Sequence, residues 1–173
     1  MQISVPRLRT GRHIFKFQFS PDEYTEIEAG DAVDFRGDVE VVATAHKMGM
    51  QLFVTTEAQA TVALECARCL EPFVLPLAAT AGALYVPEET FDRAESRTHV
   101  IESESERVMY YRQGVVDLGE QVIESLALAA PRKPLCRTDC RGICPRCGQN
   151  LNEGGCDCRP GEDFGHPFRR LLR

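Results

Sequence analysis

A chain of 173 residues with 43% hydrophobic content has room for one ordinary domain and a small appendage, and not for two full-sized domains. The net charge of −6 hides an asymmetry: residues 1–21 carry Arg7, Arg9, Arg12 and Lys16 and no acid, residues 22–131 are strongly acidic, and residues 132–173 are basic again. No signal-peptide run opens the chain and no stretch of about 18 apolar residues occurs, so the sequence excludes a membrane-spanning helix and predicts a soluble, cytoplasmic protein.

The first predicted strand covers Arg12 to Phe19, where Ile14, Phe15, Phe17 and Phe19 alternate with Lys16 and Gln18, and Pro21 closes it. Val33–Arg36 is expected to run on into Val39–Ala45. Lys47-Met48-Gly49-Met50 then turns the chain into Gln51–Thr55. A further strand from Ala58 to Glu65 puts Ala60, Val62 and Leu64 on one face and delivers the chain to Cys66, after which Pro72–Leu77 runs toward Ala83–Val86. Together these segments predict an α+β fold: a β-rich, antiparallel body with a C-terminal helix and a cysteine-rich, metal-binding tail.

Pro87 to Arg107 is acidic and poorly periodic, the composition of a loop. After Val108–Tyr111 and the turn at Gln113-Gly114, Asp117 and Glu120 have the spacing of a capping box for a helix over 118–130. Leu118, Val122, Leu126 and Ala129, widened by Ile123, form its apolar stripe, and Pro131 ends it. The domain reading is a body over residues 1–131 and a tail over 132–173 packed against it.

Eight cysteines dominate the rest: Cys66 and Cys69, then Cys136, Cys140, Cys144, Cys147, Cys156 and Cys158. Two thiolates separated by two residues can converge on one ion. In Cys144-Pro145-Arg146-Cys147-Gly148 the proline restricts the turn, and the glycine permits a backbone geometry denied to other residues. The tail is too rich in Cys, Gly and Pro for an apolar core, so coordination would replace burial there. The expected cofactor is zinc, as one or two structural ions.

One allocation joins Cys144, Cys147, Cys156 and Cys158 locally, and leaves Cys66, Cys69, Cys136 and Cys140 to staple the tail to the body. The other joins the two CxxC pairs. Shorter loops favour the first. An iron–sulfur cluster and a redox-active pair remain alternatives, and a disulfide-stapled secreted protein is disfavoured by the absent export signal. No catalytic constellation emerges. His13, His46, His99 and His166 are scattered, there is no phosphate-binding glycine loop, and a four-thiolate site has no open position.

The segments Leu64-Glu65-Cys66-Ala67-Arg68-Cys69-Leu70-Glu71-Pro72-Phe73, the Asp117-Leu118 helix entry, Leu135-Cys136, and Cys140 through Asn152 resemble the YceD family, the large ribosomal RNA subunit accumulation proteins. The resemblance covers most of the chain in order. It implies a factor supporting synthesis, processing or stability of large-subunit ribosomal RNA during ribosome biogenesis, with no known reaction. Some relatives keep the pair corresponding to Cys66 and Cys69 while losing most tail cysteines. The expected partners are large-subunit ribosomal RNA, precursor particles or ribosomal proteins, and no membrane. The basic tail makes Arg137, Arg141, Arg146 and Arg159 candidate RNA or partner contacts. The competing expectation is a protein adaptor using the acidic 88–106 segment; an RNA-processing enzyme comes third.

Overall fold

The computed structural model describes residues 1–21, 33–90 and 107–158. The chain divides into two compact units, one formed by Met1–Leu64 and Phe73–Arg132, the other by Glu65–Pro72 with the described chain from Lys133 onward. The Cys66–Cys69 loop therefore groups with the tail, although it lies far from it in sequence.

In the first unit the strands are β1 (Gln2–Ser4), β2 (Gly11–Phe19), β3 (Asp34–Phe35), β4 (Val39–Met48), β5 (Gln51–Glu65), β6 (Pro72–Pro87), β7 (Arg107–Tyr111) and β8 (Val115–Asp117), followed by helix α1 (Gly119–Ala129). Sheet order is β2-β4-β5-β6-β7, with β3 also on β5; β1 and β8 form a separate two-stranded sheet. The tight hairpin between β4 and β5 turns on Gly49, whose φ of +61° suits the first central position of a primed turn.

Period-two alternation sets the register. Val39, Val41, Ala43 and Ala45 of β4 and Leu52, Val54, Ala58, Ala60 and Val62 of β5 are buried, whereas Glu40, Val42 and His46 point outward. One core group gathers Ala43, Leu52, Val54, Ala83 and Tyr85 with Ile3, Val5 and Val116. A second packs Val122, Ile123 and Leu126 of α1 onto Phe19, Val39, Val41, Val62 and Leu77. Each such buried aliphatic side chain contributes about 1.5–3 kcal/mol of transfer free energy.

Several expectations need correction. The sheet is not wholly antiparallel, because β6 and β7 run parallel, from Ala83 opposite Arg107 to Pro87 opposite Tyr111. The long stretch between them supplies the crossover of about a dozen residues that parallel neighbours require. The predicted acidic loop, Pro87 to Arg107, covers this stretch, and its residues 91–106 lie outside the described residues. Val33–Arg36 does not continue into β4: Gly37, at φ +83°, interrupts it, and Asp34 and Phe35 pair with Ala63 and Val62 instead. Ile14 is 58% exposed, on the opposite face from Phe15 and Phe17.

The helix begins one residue late. Leu118 holds the N-cap position, and Asp117 accepts a 2.8 Å hydrogen bond from the Gly119 amide. Ala129 is exposed, and Gln121 takes the buried place beside Val122 and Ile123. At the other end Ala130 is extended (φ −63°, ψ 134°), as the residue before Pro131 must be. No described helix is long and apolar enough to cross a membrane.

Candidate metal centre

The second unit is built from two copies of one turn. In the first, the Leu70 amide donates to the Cys66 carbonyl at 2.9 Å and the Cys66 amide to the Glu71 carbonyl at 3.0 Å; in the second, Gly148 donates to Cys144 at 2.9 Å and Cys144 to Gln149 at 2.8 Å. Each turn presents its two thiols on one side. The first is joined to the tail by backbone bonds from Ala67 to the Pro134 carbonyl (2.8 Å) and from Ile143 to the Arg68 carbonyl (3.1 Å), and by the Arg68 guanidinium on the Cys140 carbonyl (2.8 Å). Close approach explains Gly142, whose φ is +78° and where a Cβ would stand 2.9 Å from the Arg68 carbonyl oxygen.

These contacts gather the eight thiols into two groups. Cys66, Cys69, Cys136 and Cys140 form one, and Cys144, Cys147, Cys156 and Cys158 the other; within each, the sulfur atoms all lie within 4.8 Å of one another. This is the first of the two sequence-based allocations, not the joining of the CxxC pairs. All eight are free thiols. The sulfurs of Cys66 and Cys140, and those of Cys69 and Cys136, are 3.7 Å apart. A tetrahedral ion with metal–sulfur bonds of about 2.3 Å places its ligand sulfurs about 3.8 Å apart. The donor sets therefore fit, and the two clusters could each coordinate a structural metal ion.

Donors around the sulfurs reinforce this reading. The Arg146 amide lies 3.5 Å from Cys144 Sγ, and Asn152 Nδ2 donates to Cys140 Sγ at 3.3 Å. The amides of Cys147 and Arg146, with the Cys156 thiol, bring Cys144 down to about 6 against the effect of burial. Burial alone would raise Cys66, but the amides of Cys136, Cys69 and Arg68 overcome it and hold that thiol at about 6. Asn152 is the main cause that lowers Cys140. Conversely, burial and shared protons push Cys136 up to about 12, and the bond with Cys147 together with burial does the same to Cys158. Lowered and raised thiols thus sit side by side in each group, and a bound cation would favour the thiolate form of all four by displacing their protons.

Asn152 is the residue whose role sequence reasoning missed. Its Oδ1 accepts from the Arg141 amide and from Arg137 Nη2, both at 2.8 Å, while its Nδ2 serves Cys140 and Asn150. A single Asn in a tail rich in Cys, Gly and Pro carries no spacing signal. Among the candidate contacts, Arg137 also pairs with Asp139 at 3.4 Å and Arg141 reaches the Leu151 carbonyl at 3.4 Å, so both side chains help build the tail. Arg146 lies between the ligands of its turn, and Arg159 falls outside the described residues.

Comparison with known proteins starts from this cysteine arrangement. The family described as Large ribosomal RNA subunit accumulation protein YceD matches residues 54–172, a span that contains both turns, all eight cysteines and α1. The chain belongs to the YceD family. Uncharacterized proteins of Mycobacterium tuberculosis and Mycobacterium bovis are 33% identical to this YceD-family chain over 132 residues, 75% of it and 56% of each of them. A Mycobacterium leprae protein, also uncharacterized, is 33% identical over 88 residues, 50% of this chain and 37% of its own. The chain spans about half the length of the curated relatives it matches most extensively. No solved structure matches it.

Proposed function

We propose that this protein is a noncatalytic factor that supports synthesis, processing or stability of large-subunit ribosomal RNA during ribosome biogenesis. The observation that carries the reading is the YceD family match across residues 54–172. Its metal is zinc, with one ion in each four-cysteine group: soft thiolates suit it, and in the Cys66 group the 3.7 Å sulfur spacings are those of a single ion rather than of a larger iron–sulfur cluster. A closed four-thiolate site leaves no position for an activated water, so the zinc's task is to hold the tail in shape. It acts in the cytoplasm, where thiols stay reduced.

Its partners are large-subunit ribosomal RNA, precursor particles or ribosomal proteins. In the tail, Arg137, Arg141 and Arg146, with Arg159 beyond the described residues, are candidate contacts. Depletion of the protein tests the function: the ratio of large- to small-subunit ribosomal RNA falls and is restored by the wild-type chain. An unchanged ratio overturns the reading.

A further inference from the structure

We propose that the outer face of the sheet, at the end where β2 begins and β4 finishes, is a binding surface for single-stranded RNA, with Arg12 and Lys16 holding phosphates and Phe53 carrying a base. The proposal rests on the function proposed above and names the surface through which it acts.

Strand register assembles the surface. Arg12 stands directly opposite His46, and His46 opposite Phe53, so a cation, an imidazole and an aromatic ring form one row across three strands. In the next row Ile14 faces Thr44, which faces Thr55; in the one after, Lys16 faces Val42. The neighbours of these residues along each strand, including Ala43, Ala45, Leu52 and Val54, point into the core, so the three rows share the solvent face. Beside Phe53 the adjoining residue is Gly82, where an added Cβ would lie 3.7 Å from the ring's Cζ. Glycine there leaves the half-buried ring uncrowded on the sheet surface.

Charge selects the occupant. Arg12 and Lys16 are exposed, and among the described residues neither has a carboxylate partner, although the chain as a whole carries a net charge of −6. Arg7 and Arg9 extend the same positive field just before β2. Beyond the Lys16 row the face turns acidic: Glu40 lies opposite Gln18, which donates to Asp38 at 3.0 Å, while Glu57 stands two strands from Lys16 in its own row, across Val42. A polyanion is therefore attracted to one end and repelled from the other. Exposed Ile14 lies between the two cations along β2, the Phe53 ring stands two strands away in the Arg12 row, and both offer apolar surface to the unstacked bases of a single strand. Residues 12–53 precede the family match, so the surface adds to what the matched segment offers.

The test measures anisotropy of a labelled single-stranded RNA oligonucleotide with the full-length, metal-loaded protein across a salt series. The double variant Arg12→Gln/Lys16→Gln is expected to bind about tenfold more weakly, with a salt slope smaller by about 1.4, the share of two phosphate contacts on a single strand. Phe53→Leu keeps an apolar cover over Gly82, and is expected to weaken binding about fivefold or more with the slope unchanged. Both variants should unfold at the wild-type urea midpoint. Wild-type affinity in both, with binding lost instead in Arg141→Gln/Arg146→Gln, would place the RNA on the tail and overturn this surface while leaving the function standing. Failure of the wild-type chain to bind RNA, while it still restores large-subunit RNA in depleted cells, overturns the surface in favour of a protein partner. Failure to restore that RNA counts against the function itself.

Discussion

Leu70 and Gly148 hold the same place in two copies of one turn, with φ of +63° and +74°. Each follows the second cysteine of its pair and donates its amide to the carbonyl of the first cysteine. Glycine takes this left-handed conformation freely, whereas a side chain there costs about 1–2 kcal/mol. The first turn bears that strain while its leucine stays 54% exposed.

Exchanging the two residue types should move stability in opposite directions. Leu70→Gly relieves the strain but loosens the unfolded chain, for a net gain of about 0.5–1 kcal/mol; Gly148→Leu loses a similar amount. Gly142→Ala should cost more than Gly148→Ala, because its Cβ meets the Arg68 carbonyl oxygen at 2.9 Å, whereas a Cβ at Gly148 meets nothing within 4 Å. Urea unfolding of the metal-loaded proteins reads all four.

Metal content separates the two groups. Purified protein should carry two zinc ions, and Cys144→Ser or Cys66→Ser should each lower the content to one. Cys147 is exposed, while Cys66, Cys69 and Cys140 are all buried, so a chelator is expected to strip the Cys144 group first. Alkylation followed by mass analysis should then label Cys147 before Cys66. Simultaneous loss from both groups would contradict this order.

Asn152 should act on one group only. Asn152→Ala removes the donor on Cys140 and the acceptor for Arg137 and Arg141, and losing a hydrogen bond that orients a metal ligand weakens metal binding about 10–100-fold. Measured by chelator competition in a Cys144→Ser background, affinity should fall by that factor. In a Cys66→Ser background, which leaves only the other group, it should stay within about twofold.

In the β body, Tyr85 donates to Gln121 Oε1 at 2.7 Å, and Gln121 Nε2 finds no partner among the described residues. Tyr85→Phe leaves the buried oxygen unpaired as well, at a cost of about 1–3 kcal/mol, and adding Gln121→Met should recover most of it. Equilibrium unfolding of the two single variants and the double variant provides the check.

Burial pushes the Tyr85 phenol up to about 12 from its ordinary value of 10. A raised phenol favours the folded state fully below pH 10, and that contribution is lost as pH rises through 12. Urea midpoints should therefore fall between pH 10 and 12. The fall should be smaller in Tyr85→Phe, and equal slopes would show that Tyr85 does not drive it.

Much of the fold was legible wherever a local pattern spanned enough residues. Alternation identified β2 and the Ala60-Val62-Leu64 face of β5, the predicted run Val39–Ala45 lies within β4, and Pro131 marked the end of α1. β1 went unread because Gln2–Ser4 is too short to show a period, and its partner β8 lies at the far end of the first unit's sequence. The parallel pairing of β7 and the outward turn of Ile14 depend on neighbouring strands that a local pattern does not contain. In the metal centre the cysteines announced themselves by spacing, whereas Asn152 and Arg68, which orient them, did not.

Which residues are available for each kind of chemistry can be read from the chain alone: eight thiols in knuckle spacings, apolar residues at strand and helix periods, and a basic N-terminal stretch. The same reading shows that the tail must rely on something other than an apolar core. Which cysteines share a site is settled by the folded chain, because bonds from Ala67 to Pro134 and from Ile143 to Arg68 join segments far apart in sequence. Spacing limits where nearby thiols can reach. Convergence of distant ones requires backbone hydrogen bonds and close packing that exist only once the chain has folded.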